Sequence, residues 1–269
     1  MEDEKPVAPV IKKANVNDIL NSITELNKQN ILSVYVPSLE SEINFKPLTV
    51  KQQKLILSTG VDTEIENLAF ANAMNDIILE NCLAQKEMIK ITDKSAILLQ
   101  LRQKAVGDKI KITEQDKDYI ISIDEQIQKV RSKTVPQSKF SIEDSGVKIT
   151  GSVPGLKLDT RYNRIFTRNT KKTGKNTQIT LSDLVGDIFV HEMVKYVDTI
   201  SIGDNILQLD GSIDANQAIN IFESLPMNIS LKVAEEIKAS RVLEIETITS
   251  DNLPEDVQIS IDASLFTDE

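Results

Sequence analysis

The stretch INFKPLTVKQQKLIL, Ile43 to Leu57, constrains the fold most, because it stops a strand and starts a helix within a few residues. Pro47 lacks a backbone N–H and pushes Lys46 toward extended geometry, so the strand must end near Phe45. The Thr49 hydroxyl is placed to accept from an amide of the following turn, and Gln52 completes a capping box of the S/T-x-x-E/Q kind. Leu55 and Ile56 then lie below a polar KQQK turn. By itself this unit names no chemistry.

Around it the chain reads in order. Residues 1–30 form an expected flexible or partner-bound leader, with Asn17 capping a short helix to about Asn27 that shows Ile19, Leu20, Ile23 and Leu26 on one side. ILSVYV and EINF, joined by the turn-rich PSLES, predict a hairpin. A helix near Asp62 to Ala84 is expected to be the central packing element, and Asp93 is placed to cap a helix that ends at Gly107. Lys109 to Ile112 reads as a strand, and Glu114 to Ser132 as a polar helix.

Between Thr134 and Thr180 the segments SKFSI, GVKIT, GLKLDTRYNRIFT and TQITL alternate between turns, which predicts a small antiparallel sheet. Leu181 to Tyr196 reads as helix, VDTISI and NILQLD as strands, and Asp214 as the cap of a helix to Ser224. A helix from Pro226 to about residue 246 and a closing strand in VQISIDASLF complete the pattern.

The expected fold is therefore α+β. It has a helix-rich N-terminal half with a small hairpin, a β-rich antiparallel middle subdomain and a mixed helix/strand C-terminal part. The expected units are the leader at 1–30, a helix-rich core at 31–133, a β-rich insertion at 134–180, and a C-terminal part at 181–269 packing on the core.

Composition matters for what it excludes. A net charge of −10 disfavours generic affinity for nucleic acid or an anionic membrane unless a basic patch is segregated. One cysteine, Cys82, rules out an intramolecular disulfide, and one histidine, His191, rules out multi-His metal sites. A reducing, cytoplasmic place of synthesis follows. No apolar run reaches the roughly 18 residues a membrane helix needs, and the acidic N-terminus is unlike a signal peptide.

His191-Glu192 resembles the start of an H-E-x-x-H zinc motif, but Lys195 occupies the fifth position, so an ordinary helix-surface histidine is expected. Cys82, within IILENCLA, reads as a small buried hydrophobe. Glu235, Glu236, Glu244 and Glu246 read as the polar face of a helix, and nine scattered glycines conceal neither a P-loop nor a dinucleotide fingerprint. No catalytic, cofactor-binding or metal-ligating residues emerge.

One charged cluster does stand out. Arg161, Arg164, Arg168, Lys171, Lys172 and Lys175 occur with no acid among them, and Tyr162 and Phe166 interleave with the arginines. The readings are a solvated hairpin tip, a contact for an acidic protein, or a nucleic-acid contact.

The stretch INFKPLTVKQQKLIL, followed by TDKSAILLQLRQKAVG with its Leu101, Arg102, Lys104 and Gly107, resembles the baseplate hub and hub-assembly proteins of T-even-type contractile phages such as bacteriophage T4. ESLPMNISLKVAEEI and the terminal ISIDASLF extend the likeness from about Leu32 to Phe266. The resemblance implies a non-enzymatic structural or assembly protein of a contractile-tail baseplate hub that works through protein–protein interfaces. It also implies other baseplate or tail-hub proteins as partners, the tape-measure protein among the candidates, and a location in the host cytoplasm during assembly and then in the virion tail baseplate. The alternative is a nucleic-acid-binding module using residues 161–175.

Overall fold

A computed structural model of the chain describes residues 15–59, 64–114, 116–173, 181–209, 213–250, 253–254, 257 and 259–266. The fold is α+β as expected. Residues 1–14 of the expected leader lie outside the described residues; the helix after them, α1 (Val16–Gln29), is capped by Asn15 rather than Asn17. Asn15 accepts from the Asp18 amide at 2.9 Å, and the Asp18 carboxylate accepts from the Asn15 amide.

Strands β1 (Leu32–Val36) and β2 (Ser41–Phe45) form the predicted hairpin, with Leu32 opposite Phe45. Where β2 ends, the Lys46 amide donates to the Asn81 carbonyl at 2.8 Å. Helix α2 (Val50–Thr59) opens on the expected capping box: the Gln52 amide donates to the Thr49 hydroxyl at 3.2 Å and the Thr49 amide to Gln52 Oε1 at 3.0 Å. Gln52 also donates to Asn81 Oδ1 at 3.1 Å, so one side chain caps α2 and ties it to the end of α3 (Glu64–Asn81). Of the two apolar residues expected beneath the cap, Ile56 is buried and Leu55 is largely exposed.

Helix α3 packs against α2, α4 (Lys94–Ala105) and α6 (Leu156–Thr173), as expected of a central packing element, and α4 beside it is enclosed, with every residue from Ser95 to Arg102 buried. Asp93 precedes it without capping it. Its carboxylate accepts instead from the Ser38 amide and hydroxyl, each at 2.8 Å, and from the Lys90 amide. Burial raises the Asp93 carboxyl, while the Lys90 and Ser38 hydrogen bonds pull it back.

The polar helix expected over Glu114 to Ser132 is a strand followed by a shorter helix. β3 (Lys109–Glu114) pairs with β4 (Lys117–Ser122), and α5 (Ile123–Arg131) follows. Tyr119, Ile120 and Ile121 suit a half-buried ribbon, with Ile121 inward and Ile120 outward, and the Ser122 hydroxyl caps α5.

Strands β5 (Lys139–Asp144) and β6 (Val147–Ser152) begin the predicted antiparallel sheet, but GLKLDTRYNRIFT is not part of it. That segment lies in helix α6 (Leu156–Thr173). TQIT lies outside the described residues. After α7 (Leu181–Val194), strands β7 (Val197–Ile202) and β8 (Asn205–Gln208) complete the order β5-β6-β7-β8. Asp214 caps α8 (Ala215–Glu223) as expected, and α9 (Met227–Ser240) ends before the predicted residue 246. A two-residue pair, β9 (Thr247–Ile248) with β10 (Ile259–Ser260), precedes a 3-10 turn at Ala263–Phe266.

Apolar side chains gather into two cores. The first joins β1–β4 and α2–α5 around Phe45, Met74, Leu99 and Ile121, and the chain end returns to it through Leu265 and Phe266. There Arg102 Nε donates to the Leu265 carbonyl and Gln53 Nε2 to the Phe266 carbonyl, each at 2.9 Å. The second core lies between the four-stranded sheet and α6–α9, around Ile149, Tyr162, Met193, Phe222 and Val233.

Gly151, at a register irregularity between β6 and β7, marks the tightest backbone approach. A Cβ there would lie 2.1 Å from Phe140 Cζ and 2.3 Å from the Tyr196 carbonyl oxygen, which the Ser152 amide already holds at 2.8 Å. Gly151→Ala is therefore expected to destabilise the fold by about 1–3 kcal/mol or more, measured as a lower urea midpoint.

Candidate functional site

Helix α6 has two chemically opposed faces. Its inner face reads Leu156, Asp159, Thr160, Tyr162, Asn163 and Phe166, all buried, so Asp159, Thr160 and Asn163 make half of these inward positions carboxylate, hydroxyl or amide. Their partners come from three other elements. Lys195, just past α7, donates from Nζ to Asp159 Oδ1 at 2.7 Å, to Asn163 Oδ1 at 2.9 Å and to Glu192. Lys94, at the start of α4, reaches Asp159 Oδ2 at 3.2 Å. Asn75 of α3 donates to Asp159 Oδ2 at 2.7 Å and to the Thr160 hydroxyl at 3.1 Å.

Burial alone would raise the Asp159 carboxyl. The Lys94 and Lys195 ammoniums, with hydrogen bonds from Lys195 and Asn75, outweigh it and hold the group well below the usual carboxylate range. Lys195 has a side chain only 1% exposed and directs its three donors at three oxygens. An ammonium so engaged has no free lone pair for nucleophilic work. The cluster clamps α3, α4, α6 and α7 together. A cavity of about 120 Å³ adjoins it, bordered by Lys94, Asp159, Glu192, Lys195 and Arg241.

His191 is not the surface residue expected. It is 2% exposed, with its ring edge-on to Tyr162 at 5.4 Å between centroids and tilted against Phe166 at 5.1 Å. Nε2 donates to the Tyr162 carbonyl, and Nδ1 has no hydrogen-bond partner among the described residues. Burial lowers its pKa to about 4, the Lys195 charge acting in the same direction and the Tyr162 hydrogen bond against it. Among the described residues, no three His, Cys, Asp or Glu side chains are grouped to hold a metal. Cys82 is buried and donates to the Ala84 carbonyl. Glu235 and Glu236 lie on exposed positions of α9, whereas Glu244 and Glu246 follow it and face Arg241.

The outer face of α6 carries the cationic residues. Arg161, Arg164 and Arg168 are exposed, and Arg164 pairs with Asp76 of α3 at 2.9 Å. Lys171 and Lys172 fall within the same helix, while Lys175 lies outside the described residues. What was expected as a basic hairpin is a helical ridge, in which steps of three and four residues bring the arginines to one side. Tyr162 and Phe166 point into the core, so they are not available to stack on bases.

Sequence reasoning missed Asp159, Asn163, Lys195, Lys94 and Asn75. The available signal was Lys195 itself, a charge between Val194 and Tyr196 at the end of an apolar helix.

These features describe an α+β scaffold with an ionic clamp inside and a cationic helix face outside. A family model described as "T4 bacteriophage base plate protein" matches residues 28–251, and the chain belongs to that family. It is thus a bacteriophage baseplate protein, with other phage baseplate proteins as its partners. No curated protein and no solved structure matches the chain. Among the described residues, no helix is long and apolar enough to cross a membrane.

Proposed function

We propose that this baseplate protein is a non-enzymatic structural or assembly component of the baseplate hub, acting through protein–protein interfaces. The observation that carries the reading is the two-sidedness of α6. Its inner face is locked by the Asp159–Lys195 cluster, so its outer face presents Arg161, Arg164 and Arg168 on a rigid support. On a chain of net charge −10, that ridge suits an acidic surface on a hub neighbour, with the tape-measure protein among the candidates; Lys171, Lys172 and Lys175 follow it in the sequence. Assembly would begin in the host cytoplasm. A basic ridge whose interleaved aromatics are buried favours a protein surface over single-stranded nucleic acid.

The test is co-purification of tagged protein with baseplate complexes from infected cells. The double variant Arg161→Glu/Arg168→Glu is expected to lower recovery of partners about tenfold, with binding that weakens as salt rises. Unchanged incorporation would overturn the ridge as the contact. A salt-dependent shift of DNA by the wild-type protein alone would favour the nucleic-acid reading instead.

A further inference from the structure

Helix α9 is apolar on two sides, and the second core covers one of them. Ile229, Val233 and Ile237 face that core and are buried. On another side Met227, Leu231, Ala234, Lys238 and, in the turn that follows, Val242 recur at steps of four, three, four and four residues. Met227, Leu231 and Val242 are 76%, 52% and 48% exposed. Apolar residues on more than one side of a helix mark cover on more than one side.

This outer track leads into a hollow. A cavity of about 390 Å³ lies between α7 and α9, with Met193, Tyr196 and Ile237 buried at its floor and Phe189 and Val242 half-exposed at its walls. Pockets for small molecules enclose most of their ligand's surface, and walls that are half in water do not. A side chain presented by a neighbouring protein brings its own cover, as an anchor residue does at the centre of an interface.

The rim says what stands beside that side chain. Lys238 is exposed at the edge of the cavity, and its ammonium has no ionic or hydrogen-bond partner among the described residues. The acids that border the cavity are engaged: Glu192 holds Lys195, and Glu246 faces Arg241 at 3.6 Å. Glu235 and Glu236 of α9 do not line it. Tyr196, 2% exposed, borders the cavity too, and its hydroxyl has no hydrogen-bond partner among the described residues. An unpaired ammonium and an unpartnered hydroxyl both have a hydrogen to donate, so the complementary group is an acceptor, and beside Lys238 an anionic one. We infer that the α7–α9 hollow is an anchor site that takes one large apolar side chain from an acidic segment of a neighbouring baseplate protein. It is separate from the α6 ridge, since none of its lining residues belongs to α6.

A displayed library of random peptides of about 12 residues, offered to the full chain, tests this. The library is first depleted on Phe189→Asp, which removes one wall of the hollow and leaves the α6 ridge in place, and is then selected on the wild type. Phe189 is 52% exposed, so that variant should keep the wild-type thermal unfolding. The surviving peptides are expected to carry a large apolar residue next to Asp or Glu. Synthesised singly, they should bind Lys238→Glu about tenfold more weakly than the wild type, and Arg161→Glu/Arg168→Glu as tightly as the wild type. Lys238 is exposed and unpaired, so its variant reports on binding and not on folding. An absence of survivors, survivors without an acid, or survivors indifferent to Lys238→Glu would each overturn the anchor site. So would survivors that weaken only with the α6 double variant, which would place acidic binding on the ridge alone.

Discussion

Asp159→Ala is expected to lower the unfolding free energy by about 3–5 kcal/mol, seen as a lower urea midpoint with an unchanged slope. The substitution removes the carboxylate that both Lys94 and Lys195 contact, and it leaves Lys195 in a site 1% exposed with Glu192 as its remaining ionic partner. An ammonium that has lost most of its compensation cannot recover hydration there, which is why breaking such a pair costs far more than the pair contributes over an apolar replacement. Asp159→Asn, which keeps the shape and an acceptor but not the charge, should fall between the wild type and alanine. Arg164→Ala is the control: it breaks an exposed pair with Asp76 and should cost at most about 1 kcal/mol. If Asp159→Ala cost no more than that control, the cluster would not be the clamp that holds α6.

Acidification should weaken the protein in two separate windows. His191 has a folded pKa of about 4 against an ordinary 6.5, so the unfolded chain binds its proton first. Its contribution is complete above about pH 6.5 and is lost as the pH falls to about 4, a total of about 3 kcal/mol. Asp159 follows. Its folded carboxyl titrates below the unfolded value of about 3.9, so its contribution is present above that pH and disappears only on further acidification. His191→Gln retains a donor for the Tyr162 carbonyl but cannot take up the proton. The variant should flatten stability between pH 6.5 and 4 and leave the lower window in place. Urea unfolding at a series of pH values measures both, and an unaltered slope in the upper window would show that His191 does not govern it.

The distance between these effects and the sequence is instructive at α6. GLKLDTRYNRIFT carries Leu156, Leu158, Tyr162, Ile165 and Phe166, and an alternating reading of it suggests a strand. Its helical period is hidden because three inward positions are Asp159, Thr160 and Asn163 rather than apolar residues. The residues that neutralise them lie far along the chain: Lys195 is 36 residues from Asp159, Lys94 is 65 and Asn75 is 84. The same holds for His191, whose burial depends on Tyr162 and Phe166 of a helix whose sequence alternates like a strand. At β4 the charges of KDYIIS masked a ribbon whose inward residues are Ile121 and, across from it on β3, Ile110.

Where the chemistry is local, the sequence was sufficient. The Thr49–Gln52 cap, the Asp214 cap, the β1–β2 hairpin and the stop at Gly107 each depend on residues within a few positions, and each forms as the residues dictate. The family resemblance rested on such local units, and so did the clustering of Arg161, Arg164 and Arg168. Only the tertiary structure decided which side of α6 is buried, and so turned a basic stretch into an exposed ridge above an ionic clamp. Backbone caps and turns are satisfied by near neighbours, whereas the cost of burying a charge is settled by whichever distant groups the fold brings to meet it.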